Sequence, residues 1–442
     1  MTFDFLLRGI LGEQRVDKEL ETTKNLCEWL GYLPLGLELV GRYLQEDPDL
    51  LIANLLEELE QERLGQKAIA QSSEKLAETE ITAKLGVQAA FNLTWERLDA
   101  KTKEVGELLS LFDPNAIAWK YVDSISDSLN WSKKDVRNGK KQLYQRHLIK
   151  RLEQEEANYQ IHPLIHEFLG SKLQASTQTQ ELKQAFTSTF IEIAQKIPDV
   201  TTLEIINSVQ NAIPHLTQVA KNHLDGLNHT NLFSVFLGLG RFYRGQGLYA
   251  SVQPWFEQCV SEVKSRLGEN NLDYGWSLNN LALLYSDQGK YAEAELLFIQ
   301  ALEITKLQLG VNHPQTADSL HNLAILYYSQ GNYLQAERLY IQALEIRKLQ
   351  LGENHPHTAD SLNNLAILYS DQGKYPEAEP LYIQVLEVLE RVLGSNHPNT
   401  KMYRRNLEKL RTKKREVPGQ QQQKQTSKND SWLRRLKKRF FG

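Results

Sequence analysis

The chain has 442 residues, 41% of them hydrophobic and 24% charged, with a formal charge of −4; this is globular composition and excludes collagen-like, disordered and disulfide-rich secreted classes. No apolar run approaches the roughly 20 residues that a membrane-spanning helix needs, and Met1 to Glu13 carries no cleavable signal pattern. The only cysteines, Cys27 and Cys259, lie far apart in sequence and are expected to be buried, reduced thiols of a cytoplasmic protein.

Residues Leu26 to Leu44 read as an apolar helix pattern broken by Gly31 and Pro34. Phe91 to Trp95 is expected to lead a helix, followed by Leu108 to Phe112, and a further helix is expected from about Ser132 to Arg146. Leu148 to Leu152 and Tyr159 to Ile161 are short strand-like runs flanking Glu153 to Asn158. Two helices followed by a hairpin suggest a winged helix, after which Ile161-His162-Pro163-Leu164 opens another helix. The expected domains are therefore a helical segment over 1–75, a winged helix over 80–175 and a helical connector over 176–230.

These stretches, in this order, resemble the back half of the NB-ARC ATPase module of STAND signalling proteins. The resemblance places the family's Gly-x-Pro segment at Gly31, Leu33 and Pro34, and its diphosphate-sensing histidine at His162. The aspartate of that family motif is missing here, so Pro34 and His162 are expected to be vestigial. The phosphate-binding signature Gly-x-x-x-x-Gly-Lys-Ser/Thr has no match in the 442 residues. The chain begins where the nucleotide domain of that family would have ended. Neither catalysis nor a cofactor is expected. A nucleotide-switched ATPase with its P-loop domain on another chain, or lost through a wrong start site, is the first alternative.

Lys133, Lys134, Arg137, Lys140, Lys141, Arg146, Lys150 and Arg151 cluster on the last helix and strand of the winged helix. In DNA-binding winged helices such residues contact phosphates, which makes a DNA-binding regulator the second alternative. A solvated basic face explains the run more simply, so nucleic acid is not the expected partner. His162 and His166, four apart beside Glu167, lack a third ligand, and no metal is expected there.

Beyond residue 230 the sequence repeats with a fixed step of 42: Leu-Gly recurs at 267, 309, 351 and 393, and Asn-His-Pro at 312, 354 and 396. Ser277 to Gly310 matches Ser319 to Gly352 at 24 of 34 positions, so the units share one backbone and stack. Within a unit, Leu278, Leu281, Ala282 and Tyr285 mark one helix face, Gly289 ends it, and Tyr291, Ala294, Phe298 and Ala301 mark a second. An eroded unit from Leu239 to Gly268 precedes them, and Pro254 and Pro380 are expected to bend their helices. His313, His355 and His397 recur too far apart to share an ion; each His-Pro pair is expected to mark a helix start.

The order Leu, small, Tyr, Gly, Tyr, Ala, aromatic, Ala resembles the tetratricopeptide repeat, and the added eight residues per unit resemble its kinesin-light-chain-like form. The resemblance implies a mainly α fold: a right-handed superhelix, an α-solenoid, over 231–410 after the helical and winged-helix region. It also implies that the first helix of each unit lines a peptide-binding groove. The expected groove residues are Asn279, Leu283, Ser286 and Asp287, then His321, Ile325, Tyr328 and Ser329, then Asn363, Ile367, Ser370 and Asp371. Asn280, Asn322 and Asn364 stand beside them and could hold a peptide backbone or merely bridge helices. Almost no cation is expected in the groove, which favours a neutral or basic extended segment as ligand. The expected function is a protein-interaction scaffold or sensor in bacterial signalling, with a protein or peptide partner.

Arg411 to Gly442 holds 11 Lys/Arg against Glu416 and Asp430 and is expected to be a disordered tail. Its end, SWLRRLKKRFFG, would place Trp432, Leu433, Leu436 and Phe440 on one helix face and is a candidate for peripheral membrane contact.

Overall fold

A computed structural model describes residues 5–69, 78–152, 157–198, 201–227 and 229–416. The candidate membrane segment at 431–442 lies outside the described residues. Two compact units are present, Met1–Gly245 and Gln246–Gly442. Among the described residues no helix is long and apolar enough to cross a membrane. Both cysteines are buried and neither forms a disulfide.

The first unit opens with helices α1 (Phe5–Leu11), α2 (Glu13–Lys18), α3 (Leu20–Trp29), α4 (Pro34–Glu46), α5 (Ile52–Ile69) and α6 (Glu78–Glu96). The break seen at Gly31 and Pro34 is a tight reversal: Gly31 and Tyr32 both take positive φ (62° and 56°), and Pro34 opens α4. Leu7, Leu26, Leu37, Leu44 and Leu55 close one core between these helices. Arg15 donates to the carbonyls of Leu44 (2.7 Å), Asp47 (3.2 Å) and Leu50 (2.7 Å), supplying partners that the end of α4 lacks within its own helix. Phe91 to Trp95 ends α6 and does not lead a helix; Asp99 starts the next one instead, accepting from the Thr102 N–H at 2.8 Å.

That next helix, α7 (Ala100–Leu109), is followed by β1 (Ile117–Ala118), α8 (Trp119–Ser128), α9 (Lys133–Gln145), β2 (Lys150–Arg151) and β3 (Asn158–Gln160). The strands form one antiparallel sheet in the order β1-β3-β2, with Ile117 opposite Tyr159 and Lys150 opposite Gln160. β1 escaped the sequence reading because two residues carry no alternation. Helices α10 (Pro163–Ala175), α11 (Thr179–Gln195), α12 (Leu203–Val209), α13 (Ile213–Asn222) and α14 (His229–Gly245) complete the unit. On α14, a Cβ at Gly238 would sit 2.6 Å from that of Ala194, so only glycine lets α14 approach α11 this closely.

The imidazole of His215 is fully buried among aromatic rings, with centroids 4.9 Å from Phe112, 5.3 Å from Phe190 and 5.9 Å from Tyr121. Its Nδ1 accepts the Asp113 N–H at 3.0 Å. Burial pushes its pKa down to about 4 against the pull of the Asp113 carboxylate, and burial likewise pushes His223 down to about 4.

The second unit holds α15 (Tyr249–Leu267), α16 (Leu272–Asp287), α17 (Tyr291–Leu309), α18 (Pro314–Ser329), α19 (Tyr333–Leu351), α20 (Pro356–Asp371), α21 (Tyr375–Leu393) and α22 (Pro398–Glu416). From α15 to α21 helices of 19 and 16 residues alternate, and α15 and α21 run unbroken through Pro254 and Pro380. Ala282, Ala324 and Ala366 on the first helices and Ala294, Ala336 and Ala378 on the second are all at 0% exposure, so paired backbones lie close. Second helices end at Gly268, Gly310, Gly352 and Gly394, with φ between 84° and 92°, a conformation that costs glycine nothing. His313, His355 and His397 each cap the following helix, Nδ1 accepting the N–H two residues on at 3.2 Å. Asn271 occupies the same position one step earlier and caps in the same way at 2.8 Å.

Because His215 and His223 have folded pKa values below the ordinary 6.5, the unfolded chain takes up protons first as pH falls. Their contribution to stability is full above pH 6.5 and is lost progressively towards pH 4. Urea midpoints measured across this window are expected to fall, and His215→Leu to flatten the fall by roughly one proton's worth of slope.

Candidate functional site

The first helices α16, α18, α20 and α22 stand side by side, and polar side chains join neighbours across the step. Asn322 Nδ2 donates to Asn279 Oδ1 at 3.0 Å, and Asn364 Nδ2 meets His321 Nε2 at 3.0 Å. Tyr328 Oη donates to Asp371 Oδ2, and Tyr403 Oη to Asp360 Oδ1 at 3.1 Å. All four pairs are 43 residues apart, one step plus one residue. The partners are thus successive first helices in the same register.

Along this face Leu283 and Ile367 are half-buried and Ile325 is 36% exposed, an aliphatic row that stays accessible while Leu281, Leu323 and Leu365 beside it are buried. Asn280 bonds within its own helix, donating to the Trp276 carbonyl at 2.8 Å. Asn363 is buried, its Nδ2 donating to Asn364 Oδ1 at 3.4 Å and its Oδ1 without a partner. Asp287, Ser329 and Asp371 are exposed at the end of their helices, whereas Ser286 is half-buried and Ser370 buried. The structure therefore gives Asn322 and Asn364 a bridging bond each. Asn279 Nδ2 and Asn322 Oδ1 carry no hydrogen bond among the described residues.

A buried cation stands behind the row. Arg347 on α19 is 5% exposed; Nη1 donates to Ser361 Oγ (2.6 Å) and the His357 carbonyl (3.1 Å), and Nη2 to Asp318 Oδ1 (2.7 Å). His321 is pushed down to about 3, first by burial and then by this guanidinium and His357, so its imidazole is neutral at physiological pH. One step away the same position is Thr305, whose hydroxyl meets Ser319 Oγ at 3.2 Å, and one step on it is Leu389.

The expected first-helix positions stop at Asp371, but α22 continues the register of α16, α18 and α20. Pro398 falls one step after Pro356, and Leu407 and Leu410 are buried in the register of Leu365 and Leu368. Arg405, Asn406, Lys409 and Lys413 then occupy the positions of Asn363, Asn364, Ile367 and Asp371. The face is therefore not free of cations. The signal was the last His397-Pro398 pair, obscured by the charge of the segment that follows.

Pro34 and His162 lie in the first unit. Pro34 is the first residue of α4, behind the exposed Tyr32 and Leu33. His162 caps α10, Nδ1 accepting the Leu164 N–H at 3.3 Å, while His166 Nε2 lies 2.8 Å from the Phe112 carbonyl.

The family model of the tetratricopeptide repeat matches residues 231–307, 297–348, 315–386 and 357–414. This region is a tetratricopeptide repeat array. The array forms an α-solenoid, in a chain that is mainly helical. Among solved structures, BtubC (BKLC) from P. vanneervenii is 20% identical over 48% of this chain and 83% of that one, with a TM-score of 0.40. A putative kinesin light chain from Podospora anserina with nearly identical repeats is 26% identical, covering 48% of this chain and 98% of that one, with a TM-score of 0.40. A STAND protein with a tetratricopeptide repeat sensor from Pyrococcus horikoshii is 16% identical with a TM-score of 0.37. It is matched over 90% of this chain, which spans only 56% of that protein. None of these likenesses transfers a role to this chain. No curated protein matches it.

The Arg347 contacts predict an asymmetry between two substitutions. Asp318→Ala leaves a buried guanidinium without its counter-charge and is expected to cost about 1–2 kcal/mol, discounted because Asp318 is itself largely exposed. Arg347→Leu installs the side chain found at Leu389 and is expected to change stability by less than about 1 kcal/mol. Chemical denaturation of the two variants reads the difference.

Proposed function

We propose that the tetratricopeptide array recognises a partner protein through an extended segment laid across its first helices, in a signalling context and without catalysis by this chain. The observation that carries this reading is the accessible row Leu283, Ile325 and Ile367 beside a hydrogen-bonded polar ladder. Apolar side chains left half-exposed beside a fully packed core are surface kept for contact. The ladder leaves Asn279 Nδ2 as a donor and Asn322 Oδ1 as an acceptor, the complement of one peptide unit.

The first unit supports a second reading, a winged helix from the regulatory part of a nucleotide-switched STAND protein. Its support is the order helix, strand, helix, helix, hairpin with a β1-β3-β2 sheet. The DNA-binding alternative is weaker. Lys140 lies 4.6 Å from the Trp119 ring and 4.8 Å from the Tyr159 ring, Arg146 is 3.3 Å from Glu46, and Lys133 is 3.5 Å from Asp127. These three cations already have partners in the fold, leaving Lys134, Arg137, Lys141, Lys150 and Arg151 as candidates for phosphate contacts.

A photo-crosslinking amino acid at Ile325, on the row, is expected to yield discrete adducts in cells of the source organism. The same group at Leu307, 67% exposed on a second helix, is expected to yield none of them. Adducts shared equally by both positions, or confined to Leu307, would contradict the proposal.

A further inference from the structure

We infer that the cleft between α8 and α9 is a binding site for a free α-amino acid with an aromatic or branched aliphatic side chain. The cleft encloses about 330 Å³, at the lower end of the roughly 300–1,000 Å³ over which small-molecule sites fall. Trp119, Trp131 and Val136 give it an apolar lining, and Asp123 and Arg137 bring opposite charges to it. The site lies within the first unit and does not depend on the groove.

The two helices run antiparallel, and their contacts fix which side chains face each other. Lys133, the first residue of α9, reaches Asp127 near the end of α8 at 3.5 Å. Further along α9, Lys140 lies 4.6 Å from the ring of Trp119, the first residue of α8. Arg137 is four residues on from Lys133 and Asp123 four back from Asp127, so one helical turn brings both to the same level. There the pair stays open: both side chains are exposed, and neither forms an ion pair or hydrogen bond among the described residues. The turn between the helices holds Trp131 at the cleft. Asn130 takes a positive φ of 56°, the Trp131 N–H donates to the Ser126 carbonyl at 2.9 Å, and the Lys101 ammonium stands 4.3 Å over the indole.

The charges left over set the ligand. Lys133 is paired with Asp127, and Lys140 lies over the Trp119 ring and 4.8 Å from that of Tyr159. The remaining carboxylate and guanidinium sum to zero, so a simple anion would meet Asp123 and a simple cation would meet Arg137. A zwitterion satisfies both at once: its carboxylate fits the fork of the guanidinium, and its ammonium donates to the Asp123 carboxylate. In an α-amino acid both charges hang on one carbon, which leaves the side chain for the indoles and Val136. Aromatic and branched aliphatic side chains gain most from burial against such a lining.

Calorimetric titration of the full chain with each of the common free L-amino acids tests the site. Binding is expected from aromatic or branched aliphatic members of the set. Asp123→Asn and Arg137→Gln, in variants of unchanged circular dichroism, are each expected to weaken it about tenfold or more, and Lys134→Gln on the same helix to leave it unchanged. N-acetylation and amidation of the ligand remove one charge at a time without altering the protein, and each is expected to cause a similar loss. Absence of binding by any amino acid would overturn the site. So would an N-acetyl or amide derivative that binds as tightly as its parent, or binding indifferent to both substitutions.

Discussion

Everything in the repeat array depends on the fully buried alanines inside each helix pair. Ala282, Ala324 and Ala366 meet the faces that carry Ala294, Ala336 and Ala378, all fully buried. A larger side chain at any of them would force the pair apart, and overpacking of this kind costs about 1–3 kcal/mol. Because the same alanine positions are buried in each pair, the outward positions repeat in three dimensions as they do in sequence. That regularity allows a residue on one first helix to find the residue 43 later on the next. It also lets Tyr327 reach Glu295 at 2.8 Å and Tyr369 reach Glu337 at 3.0 Å, with Arg411 reaching Glu379 at 2.9 Å one step on. Each unit buries little alone, and stacking supplies the remainder.

The period, helix faces and turn glycines were legible because one backbone solution is written four times in the chain. The His-Pro pairs were legible only in part. Proline at the first helical position follows from its fixed φ, but the capping role of the histidine ring emerged from its Nδ1 distance. Asn271 shows that the position calls for a short-range acceptor and not for histidine as such. The residues expected in the groove lie on α16, α18 and α20, yet the cross-step bonds of Asn322 and Asn364 depend on helix separation, which no single unit encodes. α22 was the largest omission in the site. Its buried Tyr403, Leu407 and Leu410 hold the register, while its outer face is charged as the last helix of a stack requires.

The first unit was harder to read because nothing in it repeats. The hairpin strands and α9 are set by local pattern and turn spacing. β1 is set by pairing with Tyr159, 42 positions on from Ile117, and the aromatic surround of His215 by residues as far away in sequence as Phe112. The close fit of Gly238 against Ala194 is of the same kind: an interior helix glycine gives no sequence signal of the backbone that passes it. Tertiary context decides such positions, and propensity is silent on them.

On the proposed reading the 42-residue step is an interchangeable structural unit whose first-helix face does the binding. Deleting residues 311–352 joins Gly310 to Glu353 and brings Thr305 into the register of Ser361, as it meets Ser319 in the native chain. Circular dichroism together with partner crosslinking from a groove position in the shortened protein tests the claim most directly. A folded, cooperatively melting helical protein that has lost the partner adduct is expected. An unfolded product would contradict the unit, and an undiminished adduct would contradict the groove.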